Sequence, residues 1–154
     1  MISLALFEPD IPQNTGTILR MADCFGIHVD IIEPCGFIFG GSHMRRAGMD
    51  YLNTVDYTLH PNFAEFLQYV EQSQKRLILA TTKTDANYTD FAFNAEDIIM
   101  FGKESAGVSA EIHDLIKHKI TIKMAAGKRS LNLAVSAAII ASEAIRQLAI
   151  YTVK

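Results

Sequence analysis

The sequence predicts an α/β fold: a single domain, 1–154, built on a mostly parallel sheet of six strands with helices on both faces. Short β-rich runs alternate with helical patterns along the whole chain, and that alternation builds a parallel sheet covered on both sides. The last third, Ile98–Leu148, carries the pattern most clearly. Two strand-like runs, Ile98–Gly102 and Ile120–Met124, each end in turn-prone residues, and a long helical stretch follows the second. A chain of 154 residues with no internal repeat, low-complexity tract or linker is enough for one core without staples.

Ser3–Phe7 is a short apolar strand, closed by the turn-forming Glu8-Pro9-Asp10-Ile11-Pro12. A helix starts near Asn14, which can cap it through its side-chain oxygen, and Gly26 is a natural stop. Ile18, Leu19, Ala22 and Phe25 give it an apolar face. Val29–Glu33 is the second strand, followed by a glycine-bearing loop and a basic helical turn around Met44-Arg45-Arg46-Ala47. Val55, Tyr57 and Leu59 alternate with polar residues, which predicts a third, half-exposed strand. Asn62 caps a helix running to about Glu71, and Arg76–Thr81 is the fourth strand. Ile98–Phe101 is the fifth, Ser109 caps a helix Ala110–Ile116, and Ile120–Met124 is the sixth. The final helix would open with Ser130, Leu131 and Asn132. Its stretch Leu133–Ile145 is apolar nearly all round, so the core or a second copy of the chain must enclose it.

With 49% hydrophobic and 20% charged residues, the composition is that of an ordinary globular protein. No run approaches the roughly 18 apolar residues that span a bilayer. The start, MISLALFEPD, lacks a basic leader and reads as a strand, so a cytoplasmic protein with reduced Cys24 and Cys35 is expected. The five histidines are scattered and the two cysteines have no ligand spacing, so no metal is expected. Net charge is −3, yet positive residues gather at predicted strand ends: Arg20, Arg45, Arg46, Lys83, Lys103, Lys128 and Arg129. That placement suggests an anion-binding rim.

Known phosphate and nucleophile motifs are missing. The first strand–helix turn, EPDIPQNTG, has one glycine, which excludes a G-x-G-x-x-G dinucleotide loop. Gly102-Lys103 is followed by Glu104 and does not complete a Walker A loop, and there is no G-x-S-x-G elbow. A magnesium-binding receiver domain would need several acidic residues at strand ends, and only Asp10 is near the first. In open α/β sheets ligands bind outside the carboxyl ends of the strands. That points to Gly102, Glu104, Gly107, Ser130 and Asn132, joined by Asn14 and Arg20 from the first helix. Plainer roles stand beside these: caps for Asn14, Ser130 and Asn132, and a surface cation or a partner of Asp23 for Arg20. Glu104, between Lys103 and two glycines, has no obvious packing role.

Together these residues make a joint pattern: N14-T15-G16-x-x-x-R20, F101-G102-x-E104-x-x-G107, I122-x-M124, and R129-S130-L131-N132-L133. It resembles the three motifs of the SPOUT superfamily, RNA methyltransferases that use S-adenosyl-L-methionine. The phrases EPDIPQNTG, IIEPCGF, RRAGMDY, TTK and EAIRQ are similar to one branch, the small tRNA (cytidine(34)-2'-O)-methyltransferases. The match runs from about Leu6 to Gln147. The chain departs from the branch at Lys123, where a proline is usual, and at Ala134-Val135-Ser136, where Ser-Asn-Ala is common. The second departure resembles neighbouring 2'-O-methyltransferase branches.

The resemblance implies a C-terminal trefoil knot around Ile98–Met124 and a homodimer through the first and last helices. It implies methyl transfer to the wobble ribose of leucine tRNA, with the anticodon stem-loop as the bound partner. The cofactor would lie against Ala80, Gly102, Ile122, Met124, Ser130 and Leu131. Arg20, Asn14, Glu104, Ser130 and Asn132 would form the catalytic set, with Arg20, Arg45, Arg46 and Arg129 gripping RNA. Arg20 would serve as the base or as a phosphate clamp. Two alternatives are kept: methylation at another RNA site, or a non-catalytic nucleotide- or RNA-binding module.

Overall fold

Five consecutive buried residues, Ser3–Phe7, form strand β1 at the middle of the sheet. The computed structural model describes residues 1–41 and 54–149; the predicted basic turn with Arg45 and Arg46 lies outside them. Helix α1 (Pro12–Phe25) follows, then β2 (His28–Ile32) and β3 (Tyr57–His60). Helix α2 (Phe63–Gln72) leads to β4 (Arg76–Ala80) and, after a 3-10 turn at Tyr88–Asp90, to β5 (Asp97–Phe101). Helix α3 (Ala110–Leu115), β6 (His118–Ile120) and helix α4 (Leu133–Leu148) complete the order. The strand order is β3-β2-β1-β5-β4-β6, and every pairing is parallel.

Side-chain alternation along the central strands sorts the core into two layers. Leu4, Leu6, Ile99 and Phe101 meet α1 and α4, through Ile18, Leu19, Ala137, Ile140 and Ala141. Ala5, Phe7, Ile98 and Met100 meet α2 and the end of α3, through Phe66, Val70 and Ile116. Strands buried on both faces read as continuous apolar runs, which is why β1 and β5 stand out in the sequence.

The local helix signals act largely as expected. Asn62 accepts a hydrogen bond from the Glu65 amide at 2.9 Å, Ser109 accepts from Ile112, and Gly26 ends α1 with φ 64°. Asn14 departs from expectation. The helix begins at Pro12, whose missing N–H costs nothing in the first turn, and Ile11 holds the cap position without a side-chain bond. Asn14 is therefore inside the first turn and buried, free to serve another purpose.

Two strands are displaced. At β3, Leu59 is 40% exposed while His60 is buried, its Nε2 2.7 Å from Oδ1 of the buried Asp30. His60 faces Phe66 and Tyr69 of α2, and this aromatic contact, not apolar alternation, sets the phase of that edge. The sixth strand is His118–Ile120, where Ile120–Met124 was expected. Its ladder stops where β4 stops: Thr81 donates to the Ile120 carbonyl at 2.9 Å, and Ile122 and Met124 pass into a loop.

The connection between β4 and β5 takes a long way round. Those strands are neighbours, yet residues 86–88 lie on the far side of the β6 segment. Thr121 donates to the Ala86 carbonyl at 2.8 Å and accepts from the Tyr88 amide at 2.9 Å. Gln147 of α4 then holds this connection at both Phe91 and Phe93, with bonds of 3.0 and 3.1 Å. At the start of β4, Arg76 grips the fully buried Asp97 with two bonds of 2.7 and 2.8 Å and lies over Phe91, in the same stretch that Gln147 holds. Among the described residues no helix is long and apolar enough to cross a membrane.

Candidate active site

The carboxyl ends of β4, β5 and β6 open onto a cavity of about 580 Å³. Its walls bring together eleven of the predicted site residues: Asn14, Ala80, Gly102, Glu104, Gly107, Ile122, Met124, Arg129, Ser130, Leu131 and Asn132. Arg20 does not line it; it is exposed on α1. Arg45 and Arg46 lie outside the described residues. Lys83, Lys103 and Arg129 also line the cavity, but Lys103 is engaged by Glu8 at 2.9 Å and is not a free cation of the rim.

A chain of three side chains joins the two ends of the protein. Asn132 caps α4, its Oδ1 accepting from the amides of Ala134 and Val135 at 2.9 and 3.3 Å. Its Nδ2 must then donate, and it does so to Asn14 Oδ1 at 2.9 Å. Asn14 Nδ2 in turn donates to Glu104 Oε1 at 3.0 Å, and Glu104 Oε2 accepts the Asp10 amide at 2.8 Å. Each amide orientation is fixed by the one before it, so the carboxylate of Glu104 is held by two donors in a single pose. Asn132 thus keeps the capping role read from the sequence and gains a second one.

The Glu104 loop is clasped by residues that sequence reading did not select. Glu8 takes a left-handed backbone, φ 45°, at the end of β1 and holds Lys103, raising the pKa of that lysine. Asp10 accepts from both the amide and hydroxyl of Ser105, and the hydroxyl bond holds its carboxyl below the usual range. Three consecutive residues, 103–105, are therefore fastened to one short turn. These pairs lie 94 or 95 residues apart, and no local pattern announces them.

Glycine matters here for space. A Cβ on Gly102 would come within 2.6 Å of the Gly107 carbonyl carbon, because Lys103 and Gly107 exchange backbone bonds across a tight loop. Gly107 itself has φ 69°. The loop's backbone thereby reaches the cavity wall with nothing but main chain at Gly102. A lining that combines apolar residues and main chain with a fixed carboxylate and side-chain amides fits a ligand that has a flat apolar part and a polar reacting part.

An all-parallel sheet with a site at its strand ends, built from three loops and two helix starts, defines a nucleotide-cofactor α/β enzyme class. The pattern of the SpoU rRNA Methylase family matches residues 1–142. A tRNA (cytidine(34)-2'-O)-methyltransferase of Beijerinckia indica subsp. indica is 46% identical over 145 residues, 94% of this chain and 91% of that one. A solved structure described as "Structural insights into the 2-OH methylation of C/U34 on tRNA" superposes with a TM-score of 0.90 at 36% identity, covering 97% of both chains. AviRb from Streptomyces viridochromogenes in complex with AdoMet superposes at 0.85 with 25% identity, covering 96% of this chain and 58% of that one. The chain belongs to the SpoU methylase family.

The cavity suits the family's cofactor, S-adenosyl-L-methionine, in its open backbone at Gly102 and its apolar wall at Ala80, Ile122 and Met124. Gly102→Ala is expected to weaken binding of S-adenosylhomocysteine about tenfold, as overpacking typically costs about 1–3 kcal/mol. Calorimetric titration checks this; equal affinity in the variant would mean that the loop yields freely.

Proposed function

We propose that this protein transfers the methyl group of S-adenosyl-L-methionine to the 2'-hydroxyl of nucleotide 34, the wobble position, of leucine tRNA. The observation that carries the proposal is the Asn132–Asn14–Glu104 chain, fixed in the lining of a cofactor-sized cavity in a member of this family. The relatives named for C34 methylation and the neighbour described for C/U34 methylation give the target.

In the reaction the ribose oxygen bonds to the methyl carbon while the sulfur–methyl bond breaks, and the hydroxyl proton leaves. The protein must line up oxygen and carbon, and such alignment can remove several kcal/mol of barrier. Glu104 fixes its loop, and with it Gly102, where the loop would hold the cofactor. Asn14 and Asn132 hold Glu104 and the start of α4 at one distance. Ser130 and Leu131, beside Asn132, line the cavity and would bound the cofactor and the ribose. Arg20, with Arg129 and the arginines at 45 and 46, grips RNA phosphates; a guanidinium suits two-point contact with phosphate. The alternative role for Arg20, exclusive of that grip, is to take the hydroxyl proton as a base, which requires its neutral form.

The proposed assembly is a homodimer through α1 and α4. Val135 is 46% exposed on α4, and Ile11 and Phe25, at the two ends of α1, are about as exposed, which supports a second copy as cover. A knot is likewise proposed: the 81–96 connection passes outside β6, and residues 121–132 then return to Asn14, which is the path a threaded chain would take. A cytoplasmic location follows from the tRNA substrate.

The test is transfer of labelled methyl to total tRNA lacking wobble ribose methylation, followed by digestion to nucleosides. Label in 2'-O-methylcytidine or 2'-O-methyluridine of leucine tRNA is expected. Label in another nucleoside or another RNA would move the target and keep the chemistry. Retention of tRNA with no transfer would favour a binding module.

A further inference from the structure

Four buried side-chain polar atoms have no hydrogen-bond partner among the described residues: Ser3 Oγ, Asp30 Oδ2, Asn87 Oδ1 and His113 Nε2. Of these residues, His113 alone lines the cofactor cavity. It stands on α3, its side chain 18% exposed, and its Nδ1 lies 3.6 Å from a carboxylate oxygen of Asp114. Leaving a buried nitrogen unpaired costs roughly 1–3 kcal/mol, so a partner in the working protein is the economical explanation.

The neighbours say which kind of partner. In an imidazole that carries its proton on Nδ1, the nitrogen nearer Asp114, Nε2 is an acceptor in search of a donor. Leu79, Val108 and Ile120 line the same cavity. Apolar walls accept a nucleoside far more readily than the zwitterionic amino-acid end of the cofactor, whose charges would lose their water there. An adenosine carries the donors required, at its amino group and its ribose hydroxyls. We propose that His113 is a further cofactor-binding residue whose Nε2 accepts a hydrogen bond from the adenosine of S-adenosyl-L-methionine.

The proposal rests on the cofactor assigned above, and S-adenosylhomocysteine is the probe that separates the two. In ¹⁵N-labelled wild-type protein, saturating probe should move the His113 Nε2 resonance upfield from the unbonded-acceptor position. By calorimetry, His113→Phe should bind the probe about tenfold more weakly, and His113→Gln, which keeps an acceptor, should recover part of the loss. An Nε2 signal that stays in place at saturation overturns the proposal, as does wild-type affinity in His113→Phe. Absence of any binding to the wild type would overturn the cofactor assignment along with it. The resonance measurement needs no variant, so it decides the matter even where a substitution fails to fold.

Discussion

Arg20→Ala is expected to lower the methyl-transfer rate roughly 10³-fold, within the range of about 10²–10⁴ assigned to a positioned proton-transfer group. Because Arg20 does not line the cavity, the affinity for S-adenosylhomocysteine should stay at the wild-type value. Single-turnover transfer to tRNA and calorimetry measure the two separately, and a fully active Arg20→Ala would remove this residue from the mechanism. Arg20→Lys divides the two roles left open for the arginine. A clamp on phosphate keeps much of its kcat with a raised KM when the fork becomes a point charge. A base changes its pH–rate profile, because lysine titrates well below arginine.

Arg76→Ala carries the largest expected effect on stability. Asp97 has no solvent exposure, and its carboxylate is satisfied by Arg76 and by the Asn94 amide at 2.7 Å. Removing the arginine strands a buried charge, which costs about 3–5 kcal/mol. The same guanidinium also holds the Ala92 carbonyl at 2.8 Å and lies over Phe91, so the β4–β5 connection loosens as well. Thermal unfolding should fall by roughly 10 °C for a domain of this size. Replacing Arg76 and Asp97 together with apolar residues should recover much of the loss, since the penalty comes mainly from the charge left behind. An unchanged midpoint in Arg76→Ala would show that Asp97 finds another partner.

How far the sequence could be read depends on whether a signal is local. The caps at Asn62, Ser109 and Asn132 each act within three residues, and the fully buried strands are plain apolar runs, so both were legible. Asn14 was misread because a capping residue and a buried linker look alike until Pro12 is recognised as the first residue of the helix. The end of β6 was misread because a ladder stops where its partner stops, and the partner is 40 residues away. Within the site, cavity-lining residues were legible through the joint motif. The clasp of Glu8 and Asp10 on Lys103 and Ser105 was not, since its members come together only when β1 and β5 pair. His113 gave no signal at all: in the sequence it is one of five scattered histidines.

The place of β6 has a bearing on how the chain fares while it is being made. Ile78, Leu79 and Ala80 owe their outer pairing to residues 118–120, and Ala86–Tyr88 owes its pairing to Thr121. These partners leave the ribosome after both β4 and β5. Until then the nascent sheet ends in an apolar strand with a row of unanswered amides and carbonyls, the kind of edge on which chains aggregate. A message broken shortly before codon 118 would therefore yield more than an inactive fragment. It would yield a sticky one, because Ile120 and Thr121, which line the cofactor cavity, also cover the edge of the young sheet.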